Sequence, residues 1–223
     1  MTEIILTAEE ARVLGCLIEK QITTPEYYPL TLNAVVAACN QKNNRNPLVS
    51  FMETTVVRAL DSLRDKKLAS MVSEAGARVP KYKHTAAEMI GLDEKDIAIL
   101  CELLVRGPQT VGELRTRCER MTPFADLAQA QTVLDGLATR PNGALIAKLP
   151  RQPGTKEGRY MHLLSGPPPA VPEGETAMPV EPARVALQAD NERIAKLEQE
   201  AGALRQEIAE LRQQFSDFKK AFE

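Results

Sequence analysis

LTAEEARVLGCLIEKQI at residues 6–22 and LDEKDIAILCELLVRGP at residues 92–108 carry one pattern, and that doubling decides the fold. An acidic opening leads into apolar residues at helical spacing in both, with Leu14 aligned on Leu100 and Leu17 on Leu103. Thr7 followed three residues later by Glu10, with Leu6 just ahead, forms a capping box with a hydrophobic staple, so a first helix is predicted over 8–20. QITTPEYYP then ends it, because Pro25 and Pro29 cannot donate a backbone hydrogen bond.

The pattern continues in parallel on both sides. Thr31 or Leu30 opens a second helix with Leu32, Val35, Val36 and Cys39 inward, and LNAVVAACN at 32–40 matches VGELRTRCE at 111–119. NQKNNRNP at 40–47 is a polar, turn-rich loop whose Pro47 can sit near a helix start. Residues 48–66 place Phe51, Val56, Val57, Leu60 and Leu63 on one side, which predicts an amphipathic third helix. Its counterpart around TVLDGLAT fits two registers, and the one that sets Ala130, Leu134 and Leu137 under Val56, Leu60 and Leu63 keeps the apolar spacing better. LASMVSEAGARVPKYKHT at 68–85 reads as strand, turn and strand, with Leu68, Met71, Val79 and Tyr82 as candidates for the packed face; LIAKLPRQPGTKEGRYMHLL at 145–164 repeats it.

Three helices closed by a two-stranded ribbon is the winged-helix arrangement. The expected fold is therefore mainly α with small β wings (α+β), built as two tandem winged-helix domains at 1–86 and 87–165. A linker at 166–183 follows, whose first 17 residues hold six Pro and two Gly. The segment 184–223 is an amphipathic, coiled-coil-like heptad helix. Nine of the eleven a and d positions from Leu187 to Phe222 are Leu, Ile or Phe, and the facing pairs Arg193 with Glu198, Glu200 with Arg205 and Glu207 with Arg212 are opposite in sign. That register predicts a parallel homodimer through 184–222; the alternative is one long helix folded back on the heads.

A net charge of −2 conceals an uneven distribution. Residues 1–85 carry +2, 86–165 carry 0 and 166–223 carry −4, while residues 40–83 alone reach +5. A phosphate footprint is thus expected on the first domain, and double-stranded DNA is the partner it suits. Lys42, Asn43, Asn44 and Arg45 occupy the approach to the third helix, Ser50, Thr54 and Arg58 lie along it, and Arg78, Lys81 and Lys83 belong to the wing. Asn and Arg suit base edges and Lys suits phosphate, although a capping loop and a solvated cationic face would have the same composition. Arg115, Arg117 and Arg120 in the second domain are diluted by Glu113, Glu119 and Asp126, and a packing surface is the expectation there.

Enzymatic patterns are lacking. His84 and His162 sit outside any metal-ligand spacing, and the chain has no phosphate-binding glycine loop and no nucleophile elbow. No catalytic residue, metal site or cofactor is expected. Cys16, Cys39, Cys101 and Cys118 stand apart among apolar neighbours, as small buried hydrophobes do. An acidic N-terminus and the lack of any run near 18 apolar residues predict a cytoplasmic protein with no membrane association.

With the blocks EKQ..TP..YPL and NQK.NR.P, residues 1–165 resemble the YceH family of uncharacterised bacterial proteins. The resemblance implies two tandem winged-helix domains and carries no catalytic or binding role. Two functions stand side by side at this point: a non-enzymatic, DNA-associated regulatory protein, and a protein–protein interaction scaffold that uses the same surfaces.

Overall fold

A computed structural model describes residues 4–73, 79–151 and 157–168. Of the two units into which the chain divides, Met1–Val171 and Pro172–Glu223, these residues all belong to the first. Arg78, most of the linker and the heptad run at 184–222 lie outside the described residues.

The fold is mixed α+β. Its first half runs α1 (Ala8–Thr23), a single 3-10 turn (Pro25–Tyr27), β1 (Leu30–Thr31), α2 (Leu32–Cys39), α3 (Glu53–Asp65), β2 (Ala69–Val72) and β3 (Lys81–His84). A short helix, α4 (Ala86–Ile90), leads to α5 (Glu94–Arg106), α6 (Val111–Cys118), α7 (Leu127–Ala138), β4 (Ile146–Lys148) and β5 (Tyr160–His162).

Local chemistry explains most of these boundaries. Thr7 accepts from the Glu10 amide while the Glu10 carboxylate accepts from the Thr7 amide, the reciprocal cap expected there. Asp93 with Asp96 and Thr110 with Glu113 cap α5 and α6 in the same way. The third helix begins five residues later than its apolar spacing predicts, at Glu53. Asn40 holds the backbone of Phe51 on both sides, Nδ2 donating to its carbonyl at 2.9 Å and Oδ1 accepting from its amide at 2.7 Å. Residues 48–51 are thereby kept out of the helix, whose first turn forms only beyond Met52.

The two halves close their sheets alike. β3 pairs antiparallel with β1 on one side and β2 on the other, with Leu30 opposite Tyr82. β4 pairs with β5, and the third strand shrinks to a single bridge between Gln109 and Tyr160. Tyr82 and Tyr160, at matching places in the last strands, are both buried, and so are Ala130, Leu134 and Leu137 of α7, the better-spaced register. Leu68 is buried as expected, whereas Met71, directly opposite the buried Tyr82, and Val79 are 45% and 53% exposed.

One apolar core runs through both halves. Its axis is the contact between α1 and α5, each buried around most of its circumference, which is how a helix packed on two sides reads. Gly15 permits the approach: a Cβ there would lie 2.7 Å from Val105 Cγ1 and 2.9 Å from Leu104 Cβ. The Leu6 amide also donates to the Leu164 carbonyl at 2.6 Å, tying the start of the first half to the end of the second.

Candidate nucleic-acid interface

The loop from Asn40 to Pro47 separates into residues turned inward and residues turned outward. Arg45 goes inward. Its guanidinium meets the Glu19 carboxylate at 3.2 Å and 2.5 Å, with both side chains 0% exposed, and donates further to the carbonyls of Ala38 and Asn44 and to Gln41. Burial works against both charges, and their mutual attraction more than offsets it, so Arg45 is held above its ordinary pKa and Glu19 is carried down to about 2. Arg45 accordingly departs from the expected position on the approach to α3: it stabilises the interior and has no part in the exposed cationic surface. Arg12, also buried, donates to the carbonyls of Cys39 and Pro47 at 3.4 Å and 2.7 Å.

The same loop joins the second half. Asn44, at φ 60°, accepts from Arg106 Nη2, and Asn46 donates from its amide to the Val105 carbonyl at 3.0 Å and from Nδ2 to the Arg106 carbonyl at 3.3 Å. These are carbonyls of the last turn of α5, which no helical amide reaches. Arg120 closes the seam from the other side, with Nη2 shared between Glu19 Oε1 at 2.5 Å and Glu102 Oε1 at 3.1 Å. Arg106 Nε lies 2.8 Å from Glu102 Oε2, close enough for attraction but off the hydrogen-bonding direction. Two carboxylates and three guanidiniums therefore form one network across the halves.

Outward lies a smaller set than composition implied. Lys42, Asn43, Ser50, Thr54, Arg58 and Lys83 are exposed, Lys81 is half-buried, and Asn44 is exposed with its side chain engaged by Arg106. Thr54 and Arg58 stand one turn apart on the outer face of α3, and on β3 the alternation turns Tyr82 and His84 in and Lys83 out. Among the described residues Lys42, Arg58 and Lys83 make no ion pair, whereas Arg64 is bonded to Asp61 and Lys66 to Glu10. Composition did not single out Lys67, an exposed cation just beyond α3, nor the exposure of Leu48 and Met52 at 63% and 71% in the lead into that helix.

The second half offers a different surface. Arg117 is spent on Gln109 and Glu113, and Arg120 on the seam, so the expected packing role holds for Arg120. Along α7 the exposed residues are Leu127, Ala128, Thr132, Asp135 and Gly136, without a cation. A shallow cleft of about 400 Å³ lies beside them, bordered by Val111, Lys148, Arg151 and Tyr160.

His84 and His162 are carried down to about 4, chiefly by burial, and His84 has no partner on either ring nitrogen. The Tyr28 hydroxyl accepts the His84 amide at 2.7 Å. All four cysteines are buried, with burial pushing the Cys101 and Cys118 thiols up. Among the described residues no group of three or more His, Cys, Asp or Glu side chains could hold a metal ion, and no helix is long and apolar enough to cross a membrane.

The family model described as "Protein of unknown function, DUF480" matches residues 6–155. A UPF0502 protein of Geobacter metallireducens is 58% identical over 222 residues, covering 99% of this chain and 100% of that protein. Another, of Geobacter sulfurreducens, is 55% identical over 221 residues with 99% and 100% covered. A third, of Koribacter versatilis, is 50% identical over 202 residues, covering 90% and 91%.

Proposed function

The chain belongs to the DUF480 family, to which the YceH resemblance of its sequence corresponds, and from that premise we propose that it is a non-enzymatic, DNA-associated regulatory protein whose first half acts as a winged helix. One observation carries the reading: the outer face of α3 is polar and bears Thr54 and Arg58, with Lys42, which makes no ion pair among the described residues, ahead of it and Lys83 on the strand behind. Cations at those places meet phosphates while short polar side chains approach base edges.

Fluorescence anisotropy with a mixed-sequence duplex at about 50 and about 200 mM salt tests it, since phosphate-led binding weakens steeply over that range. Replacing Lys42, Arg58 and Lys83 by Ala together reduces the salt dependence by about three phosphate contacts. No binding at tens of micromolar protein at either salt ends the proposal.

A scaffolding role is the second reading, and the cation-free outer face of α7 with Leu127 53% exposed favours it. Affinity capture with and without nuclease separates the two. Partners that vanish entirely on digestion count against the scaffold.

A further inference from the structure

The lead into α3 pairs charge with bare hydrocarbon. Leu48 and Met52, four residues apart, are among the most exposed large apolar side chains described, and between and beyond them lie Ser50, Thr54 and Arg58. Asn40 pins Phe51, and with Met52 extended at the cap, Leu48 and Met52 stand ahead of the helix instead of folding into its first turn. Two isolated apolar side chains supply a small fraction of the roughly 800 Å² that each partner buries in a stable protein interface. Lys42 and Arg58, exposed and without ion pairs among the described residues, flank them in the sequence together with the exposed carboxylate of Glu53, and the two cations suit a polyanion. Duplex DNA offers both chemistries together: phosphates along its strands and, in the major groove, the 5-methyl group of thymine as its one apolar landmark.

Resting on the DNA reading above, we propose that Leu48 and Met52 select A·T-containing sites by packing against thymine methyl groups, with Lys42 and Arg58 anchoring the flanking phosphates. Each methyl group taken out of water contributes about a fourfold gain in affinity. Asn44 and Arg45 are engaged by Arg106 and Glu19, so at this corner the apolar pair adds to what the exposed Asn43, Thr54 and Arg58 can read.

The test begins by selecting bound duplexes from a randomised pool with the full chain. The best-bound duplex is then titrated in two forms, one with thymine and one with deoxyuridine throughout, which differ only in the 5-methyl groups. The expected result is about fourfold weaker binding per contacted thymine in the deoxyuridine form. In the double variant Leu48→Ser and Met52→Ser, whose changes are both at the surface, the two forms bind alike. Equal affinity of the wild-type chain for both forms overturns the inference while leaving DNA binding intact, and so does a double variant that still distinguishes them. Failure to retain any duplex overturns both this inference and the reading beneath it.

Discussion

Cys101 Sγ donates to the Gly15 carbonyl across 3.3 Å, and the two residues hold equivalent places in the repeated helix. α1 and α5 thus meet through their own counterparts, as the two copies of a symmetric interface do. The tight side of that contact is Gly15, which has no room for a side chain.

Gly15→Ala is accordingly expected to destabilise the protein by about 1–3 kcal/mol through overpacking against Leu104 and Val105. Gly112→Ala in α6, where a Cβ meets nothing within 4 Å, is the matched control and is expected to be neutral or stabilising by up to about 1 kcal/mol. Urea denaturation of both variants beside the wild type decides it; equal midpoints for the two would show that the seam yields.

The seam network is expected to fail asymmetrically. Glu19→Gln leaves Arg45 buried without its counter-charge, and about 3–5 kcal/mol of stability is lost. Glu19 is held at about 2 in the fold against 4.5 as its ordinary value, so its contribution is complete above 4.5 and lost as pH falls from there toward 2. Denaturation midpoints followed over that window should fall in the wild type and flatten in Glu19→Gln.

Histidine predicts a second, higher window. His84 and His162 stay neutral in the fold down to about 4, while in the unfolded chain they take up protons near 6.5. Below 6.5 the unfolded state binds more protons, so stability declines as pH falls from 6.5 to 4. Replacing both by Leu removes that slope and leaves the Glu19 window in place. A double variant with an unchanged slope between 6.5 and 4 would assign it to other groups.

For the heptad run, whose residues lie outside those described, the sequence predicts a parallel homodimer. Sedimentation equilibrium of the full chain beside a chain ending at Gly166 should give a dimer and a monomer respectively. A full-length monomer at high micromolar concentration would refute it, and a dimer that survives truncation would move the interface onto residues 1–166.

Most of the helical framework was legible because α1, α2, α5 and α7 carry apolar residues at helical spacing, and periodicity is local information. The start of α3 was not, since Asn40 reaches eleven residues along the chain to hold Phe51 outside the helix. α4 spans only five residues, too few to display a period. Arg45 looked like a surface cation because composition identifies a charge without locating its partner, here 26 residues upstream on α1. A signal did exist: Glu19 and Glu102 interrupt apolar runs, LGCLIEK and AILCELLV, and a carboxylate carried into a core needs cations brought to it.

The Asn40–Pro47 loop has a consequence for any ligand seated on α3. That loop leads directly into Leu48 and Met52, yet Asn44 and Asn46 are bonded to the last turn of α5. A ligand on the outer face would then draw on the same stretch of backbone that secures the seam. By linkage, a ligand whose binding there tightened the loop's bonds to α5 would in turn bind more tightly to a chain in which those bonds were already secured.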